Sequence, residues 1–283
     1  MRIAHAEDLP WTNPPALRGG TIRFKTLLEG IEGTPNNYQM FLADTDVSFS
    51  SPRHRHNFDQ VRFGIAGRTS FGPKQMLAEG DTVYFPEGTH YGPQDQHETG
   101  SSSISLVIQF GGPDGNGYMS HDQMRLHFER LSATGTFDSG VFRRHTPAAH
   151  ERANQDAYEA VWQSSNGRAV QYSKPRFAAP LHMHEAHFAW MPIAGSPGTS
   201  TKRMGCFTER DIDIGFTFLE AGSTLVVPPS KQIRLMFVKE GTGSLGLQER
   251  WQNHTAIELP AGESIQLRAS ASSTLLTLNL PHF

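Results

Sequence analysis

Ser51-Pro-Arg-His-Arg-His-Asn-Phe-Asp-Gln-Val-Arg-Phe63 places two histidines two residues apart, followed by a polar–apolar alternation. In an extended strand residues two apart share a face, so His54 and His56 point the same way, and Gln60 and Arg62 keep the same parity. Two neutral imidazoles on one face of a barrel strand suit Zn, Fe, Ni, Cu or Mn. The bland alternative is a pair of solvated histidines beside Arg53 and Arg55.

On both sides of this run the chain has one texture. Short β-like runs over 21–28, 38–43, 61–65, 80–85 and 104–110 are separated by Gly, Pro, Asn and Asp, which predicts a sandwich or barrel. The same texture returns over 169–280. Between the two lies a helical stretch: Ser120 as N-cap with Gln123 completing a capping box, Met124, Phe128 and Leu131 on one face, and Gly135 as stop. A second helix is expected from Thr146-Pro147, carrying Tyr158, Val161 and Trp162 before Gly167.

The two β-rich parts read as copies. Gln60-Val-Arg-Phe-Gly-Ile-Ala-Gly67 matches Arg234-Leu-Met-Phe-Val-Lys-Glu-Gly241, and Leu77-Ala-Glu-Gly-Asp-Thr-Val83 matches Leu259-Pro-Ala-Gly-Glu-Ser-Ile265. Trp11 and Trp190 each precede a basic residue by twelve positions, at Arg23 and Lys202. Three matches in one order indicate a tandem duplication. The expected domains are 1–117, a helical connector 118–168, and 169–283.

Composition narrows the function classes. Twenty-five Lys+Arg against 28 Asp+Glu leave −3, so no strong field favours nucleic acid or an anionic membrane. The lone Cys206 excludes an internal disulfide framework and a cysteine-clustered zinc site. No apolar run approaches a membrane span, and the first residues lack the apolar core of a signal peptide, so a cytoplasmic protein is expected. Fourteen histidines in such a chain direct attention back to residues 51–63.

That run, taken together with residues 64–95, resembles the cupin superfamily of small β-barrels, whose motifs read G-x5-H-x-H-x3-4-E-x6-G and G-x5-P-x-G-x2-H-x3-N. His54 and His56 hold the paired positions, Gln60 the Glu position and Gly67 the closing Gly, while Ser48 replaces the opening Gly. Gly80, Pro86 and Gly88 are in register in the second motif. Tyr91 then stands at the His position, with His90 one residue early, and Asp95 at the Asn position. The resemblance implies two tandem cupin-type antiparallel β-barrels of jelly-roll form joined by a short helical connector. It also implies a metal set of His54, His56, Gln60 and His90, favoured over Tyr91 because imidazole is the commoner ligand. One divalent transition metal per chain follows, iron foremost, with Ni, Mn, Zn or Cu as alternatives. The second copy has lost the set: Pro228, Ser230 and Arg234 replace His54, His56 and Gln60, and a residue near Ser272 replaces His90.

The implied activity is that of a metal-dependent oxygenase, with Tyr91 or His97 moving a proton. A metal-dependent isomerase or lyase and a non-catalytic binding protein are the alternatives. The implied substrate is a small carboxylate or enolate, because neutral Gln60 leaves a dication uncompensated and an inward Arg62 would add to the preference. A homodimer is the expected assembly, without nucleic-acid or membrane partners. His182, His184, Glu185 and His187 form a second histidine-rich run, upstream of the repeat's core strands; it reads as an entry strand or loop with accessible histidines, the alternative being that it lines the mouth of a pocket or supplies a second metal site. The glycine-rich run from Gly111 lacks the Gly-Lys-Ser/Thr of a phosphate loop and reads as a chain exit.

Overall fold

The computed structural model of the protein describes residues 1–15, 17–112, 118–149, 151–246 and 249–283. The glycine-rich run beginning at Gly111 and the expected boundary at residue 117 fall largely at 113–117, outside the described residues. Contacts divide the chain into two units, one of Trp11–Lys25 with Glu29–His182, the other of Met1–Pro10, Thr26–Leu28 and Met183–Phe283.

The first strand, β1 (Arg2–His5), belongs to the second of these units. The first unit, called N-terminal below, is built on β2 (Tyr38–Thr45), β3 (Asp59–Ala66), β4 (Asp81–Phe85) and β5 (Ser103–Phe110). They lie side by side in the order β4-β3-β5-β2, antiparallel throughout. Burying Met40, Phe63, Val83, Tyr84, Leu106 and Ile108 almost completely is what drives these runs together. Gln60 stands opposite Gln109 and Phe85, and Arg62 opposite Val107 and Val83. The hairpin Arg68–Gly72 with Gln75–Ala78, and the short pair Ser50–Ser51 with Gln94–Asp95, form further antiparallel pieces of the jelly roll. Gly67 turns the chain out of β3 at φ +70°, where a Cβ would stand 2.4 Å from the Ser102 carbonyl oxygen, so glycine is required there.

Two helices come next. In α1 (His121–Ser132) the Ser120 hydroxyl accepts from the Gln123 N–H and the Gln123 side chain accepts from the Ser120 N–H, the expected capping box. The second helix, α2 (Ala157–Asn166), does not begin at Thr146-Pro147. Asp156 caps it, accepting from the Glu159 N–H at 3.0 Å. Residues upstream pair instead in a three-stranded sheet of Gly135–Asp138, Val141–Arg144 and Asn154–Asp156. Proline at a first helical turn is permissive, and an acidic cap ten residues later outweighs it. Tyr158, Val161 and Trp162 of α2 pack with Met124 of α1 and with Phe58 and Tyr118 in one buried cluster. No helix among the described residues is long and apolar enough to cross a membrane.

The second unit repeats the plan with β6 (Thr199–Phe207), β7 (Ile212–Leu219), β8 (Arg234–Glu240), β9 (Thr255–Leu259) and β10 (Ser273–Asn279). Its larger sheet runs β1-β9-β8-β10-β7-β6, with Met191–Pro192 at the far edge. Arg234 stands opposite Asn279 and Leu259, the same ladder place that Gln60 holds opposite Gln109 and Phe85. Met236 and Val238 come next on the inner face and pack with Leu225, Leu245, Trp251 and Leu267 of a facing four-stranded sheet. The protein is therefore mainly β, of antiparallel jelly-roll form, in two similar units.

Candidate functional site

The N-terminal unit holds a cavity of about 390 Å³ lined from several elements. The segment after Ser51 brings His54 and His56 to it, β3 brings Gln60 and Arg62, and β5 brings Gln109. His54, His56, Gln60 and Arg62 all line one space, although the strand expected to carry the two histidines begins only at Asp59 and they reach the cavity from the irregular segment before it. Tyr91 joins them through main-chain pairing. His54 N–H donates to the Tyr91 carbonyl at 3.0 Å, and Tyr91 N–H returns the bond to His54 at 2.9 Å.

That pairing decides between the two neighbours at the second motif. Bridged to His54, the chain turns Tyr91 inward, 4% exposed, and leaves His90 exposed and outside the cavity lining. His90 is thus not with His54 and His56, because consecutive residues of an extended segment face opposite ways. His97 is also displaced: it lies exposed in the single-turn helix Gln96–Thr99. In that turn the buried residue is Gln96, whose amide donates to the carbonyl oxygens of Arg68 and Ser101.

The polar end of the cavity is a connected set. His54 Nδ1 lies 2.7 Å from the Pro52 carbonyl oxygen, which can only accept, so Nδ1 carries the proton. Nε2 then accepts from the Tyr91 hydroxyl at 2.9 Å. Arg62 Nη2 donates to the same hydroxyl at 3.3 Å. With its amide oxygen turned to Arg62, Gln60 accepts from Nε at 2.8 Å and from Nη2 at 3.2 Å, and its amide nitrogen faces the Gln109 amide at 2.6 Å. Burial holds both imidazoles well below the usual histidine range, helped by Arg18 and Arg62, and for His56 by His54 as well. Burial also raises the Tyr91 phenol, against the pull of Arg62, so both histidines and the tyrosine are neutral at pH 7.

The other end is ringed by aromatic groups. His56 stacks on Phe58 at 4.3 Å, Phe58 meets Tyr118 and Tyr158 edge-on, and Phe24 stacks on His121 at 4.5 Å. Met124 of α1 and Tyr158 of α2 also reach the cavity, so both helices contribute to its lining. Sequence reasoning did not foresee Arg18, Tyr118, His121 or Tyr158. Arg18 lies in an irregular segment with no periodicity to give it a direction, and pairs with Asp156 at 3.5 Å.

The donor set does not fit the divalent centre that the motif implies. With His90 outside, two imidazoles remain, and Gln60's only ligating atom is engaged by Arg62. The lining contains no Asp or Glu and two arginines, and among the described residues Arg62 has no carboxylate partner. A dication placed there would meet a buried guanidinium with no anion to offset either charge. The second unit offers no substitute at the matching place. Arg234 Nη1 donates to the Pro228 carbonyl oxygen at 2.7 Å, and apolar side chains fill the interior beyond it. In the histidine-rich run, His182 pairs with Asp81 at 3.0 Å, and Glu185 is held by Lys202 and Lys239, each at 2.9 Å.

No protein-family model and no curated protein matches the chain. Solved structures do. The Nostoc punctiforme protein designated "putative dioxygenase" superposes over 100% of this chain and 83% of its own, at a TM-score of 0.66 and 9% identity. The fold is of the cupin type. Oxalate decarboxylase of Bacillus subtilis covers 100% of this chain and 77% of its own at 0.58 and 12% identity. A Pseudomonas aeruginosa protein designated "putative glyoxylate induced protein" covers 95% and 84% at 0.57 and 13%. At such identities the likeness is one of fold alone.

Proposed function

We propose that the protein is a cupin-type enzyme whose N-terminal unit binds a small organic anion and moves a proton on it. The observation that carries this reading is the Arg62–Tyr91–His54 chain at the polar end of the cavity. Arg62 supplies positive charge beside a phenol that already donates to a neutral imidazole, and the Pro52 carbonyl fixes that imidazole's tautomer. An anion seated on the guanidinium places its reacting carbon next to the Tyr91 oxygen. The phenol, with His54 behind it, can give or take a proton there, as isomerases and lyases require. The Mn(II) centres of the oxalate decarboxylase neighbour belong to that protein. The small anion in its name agrees in charge with the Arg62 end of this cavity.

The oxygenase reading, implied by the motif resemblance, requires open coordination positions on a metal. The cavity supplies three imidazoles, two guanidiniums and no carboxylate, so proton transfer is the reading its geometry favours. Turnover of candidate anions, followed with an oxygen electrode, tests the choice. Substrate loss without oxygen uptake is the expected result. Stoichiometric oxygen uptake would make the protein an oxygenase.

A further inference from the structure

We propose that the anion taken by this cavity is a monocarboxylate carrying an apolar, ring-sized body. The inference rests on the reading that Arg62 receives an anion, and names which anion. Three observations lead to it. The first is charge: Arg18 is already paired with Asp156, whereas the partners of Arg62 are the Tyr91 hydroxyl, the Gln60 amide and the faces of Phe85 and Tyr91. One uncompensated guanidinium calls for one negative charge, and its fork matches a carboxylate.

The second is size. A cavity of about 390 Å³ is of the size that takes a drug-sized organic molecule, far more than a two-carbon dianion occupies. The third is the sequence of surfaces from one end to the other. Tyr91, His54 and His56 meet one another, and His56 leads on to Phe58, Tyr118 and Tyr158, with ring centroids 4.3–5.9 Å apart. A carboxylate on Arg62 therefore points the rest of its molecule along ring faces and edges, where a flat apolar body stacks and a hydrated one loses its water without replacement. A dianion such as oxalate would bring a second charge that nothing in the lining answers.

Calorimetric titration of the full chain with four probes tests this. Benzoate has charge and ring, benzamide the ring alone, acetate the charge alone, and oxalate two charges without a ring. Benzoate is expected to bind at least about tenfold more tightly than each of the other three, a difference of ~1.4 kcal/mol. Arg62→Met, which keeps the buried stem and removes the charge, is expected to bring benzoate down to the level of benzamide. Arg62→Lys should recover part of the preference. If oxalate or acetate equals benzoate and Arg62→Met abolishes all anion binding, the anion site stands and the ring-bearing class is wrong. If benzamide equals benzoate and Arg62→Met changes nothing, the anion reading itself falls. No saturable benzoate binding up to about 10 mM would likewise overturn the assignment.

Discussion

His121 shows how much a single buried ring can carry. It is 8% exposed, stacked on Phe24 and edge-on to Phe41, and its pKa is lowered to about 3, by burial first and by Arg125 second. The unfolded chain binds its proton near 6.5 while the folded chain does not, so the stabilisation is complete above that value and declines as pH falls toward 3. His54 and His56 act in the same direction. Denaturant titrations should therefore show stability falling between about pH 7.5 and 5.5. His121→Phe, which keeps the stack, should reduce that fall by about 1 kcal/mol. An unchanged pH dependence in the variant would mean that the ring is protonated in the folded state. At the reacting end, Tyr91→Phe should lower turnover by about 100-fold or more while costing only about 1 kcal/mol of stability. A turnover number within about threefold of the parent would remove the phenol from the chemistry.

At the level of elements, what the chain announced and what it concealed divide along one physical line. Parity within a strand is local, so Gln60 and Arg62 could be placed on one face of β3 from spacing alone, whereas His54 and His56 reach the same cavity from the irregular segment before it. The choice between His90 and Tyr91 depends on a backbone bridge to His54, 37 residues away in sequence, which no local pattern contains. The capping box of α1 was legible because all its parts lie within four residues of one another. The start of α2 was not, since Pro147 and Asp156 both offer an N-terminus and the sheet of 135–156 selects the later one. Because α1 contributes Met124 to the cavity lining, its cap also matters to the site. Ser120→Ala should cost about 1 kcal/mol in urea denaturation. Benzoate affinity should fall with it if the first turn frays. Full affinity at reduced stability would show that the helix holds its place without its cap.

The N-terminal unit has a polar cavity where the second unit has a buried apolar cluster, on the same ladder register. Gln60 and Arg62 of β3 correspond to Arg234 and Met236 of β8, and Met236 is 3% exposed among aliphatic neighbours. Since the lining of the N-terminal cavity does not make a fitting divalent set, His54→Ala with His56→Ala should carry the same metal content per chain as the parent. Loss of metal in the double variant would put a metal on those two imidazoles. The larger sheet of the second unit also has a consequence for how the chain is made. Its edge strand β1 pairs Arg2 with Glu258, across 256 residues. At about 5–20 residues per second, ribosomal synthesis separates those partners by on the order of 12–50 s. Through that interval Arg2–His5 waits as an unpaired strand while 11–182 can already collapse. This long-range closure is the slow kind of pairing, and it makes Arg2–His5 the segment most in need of protection from a wrong neighbour.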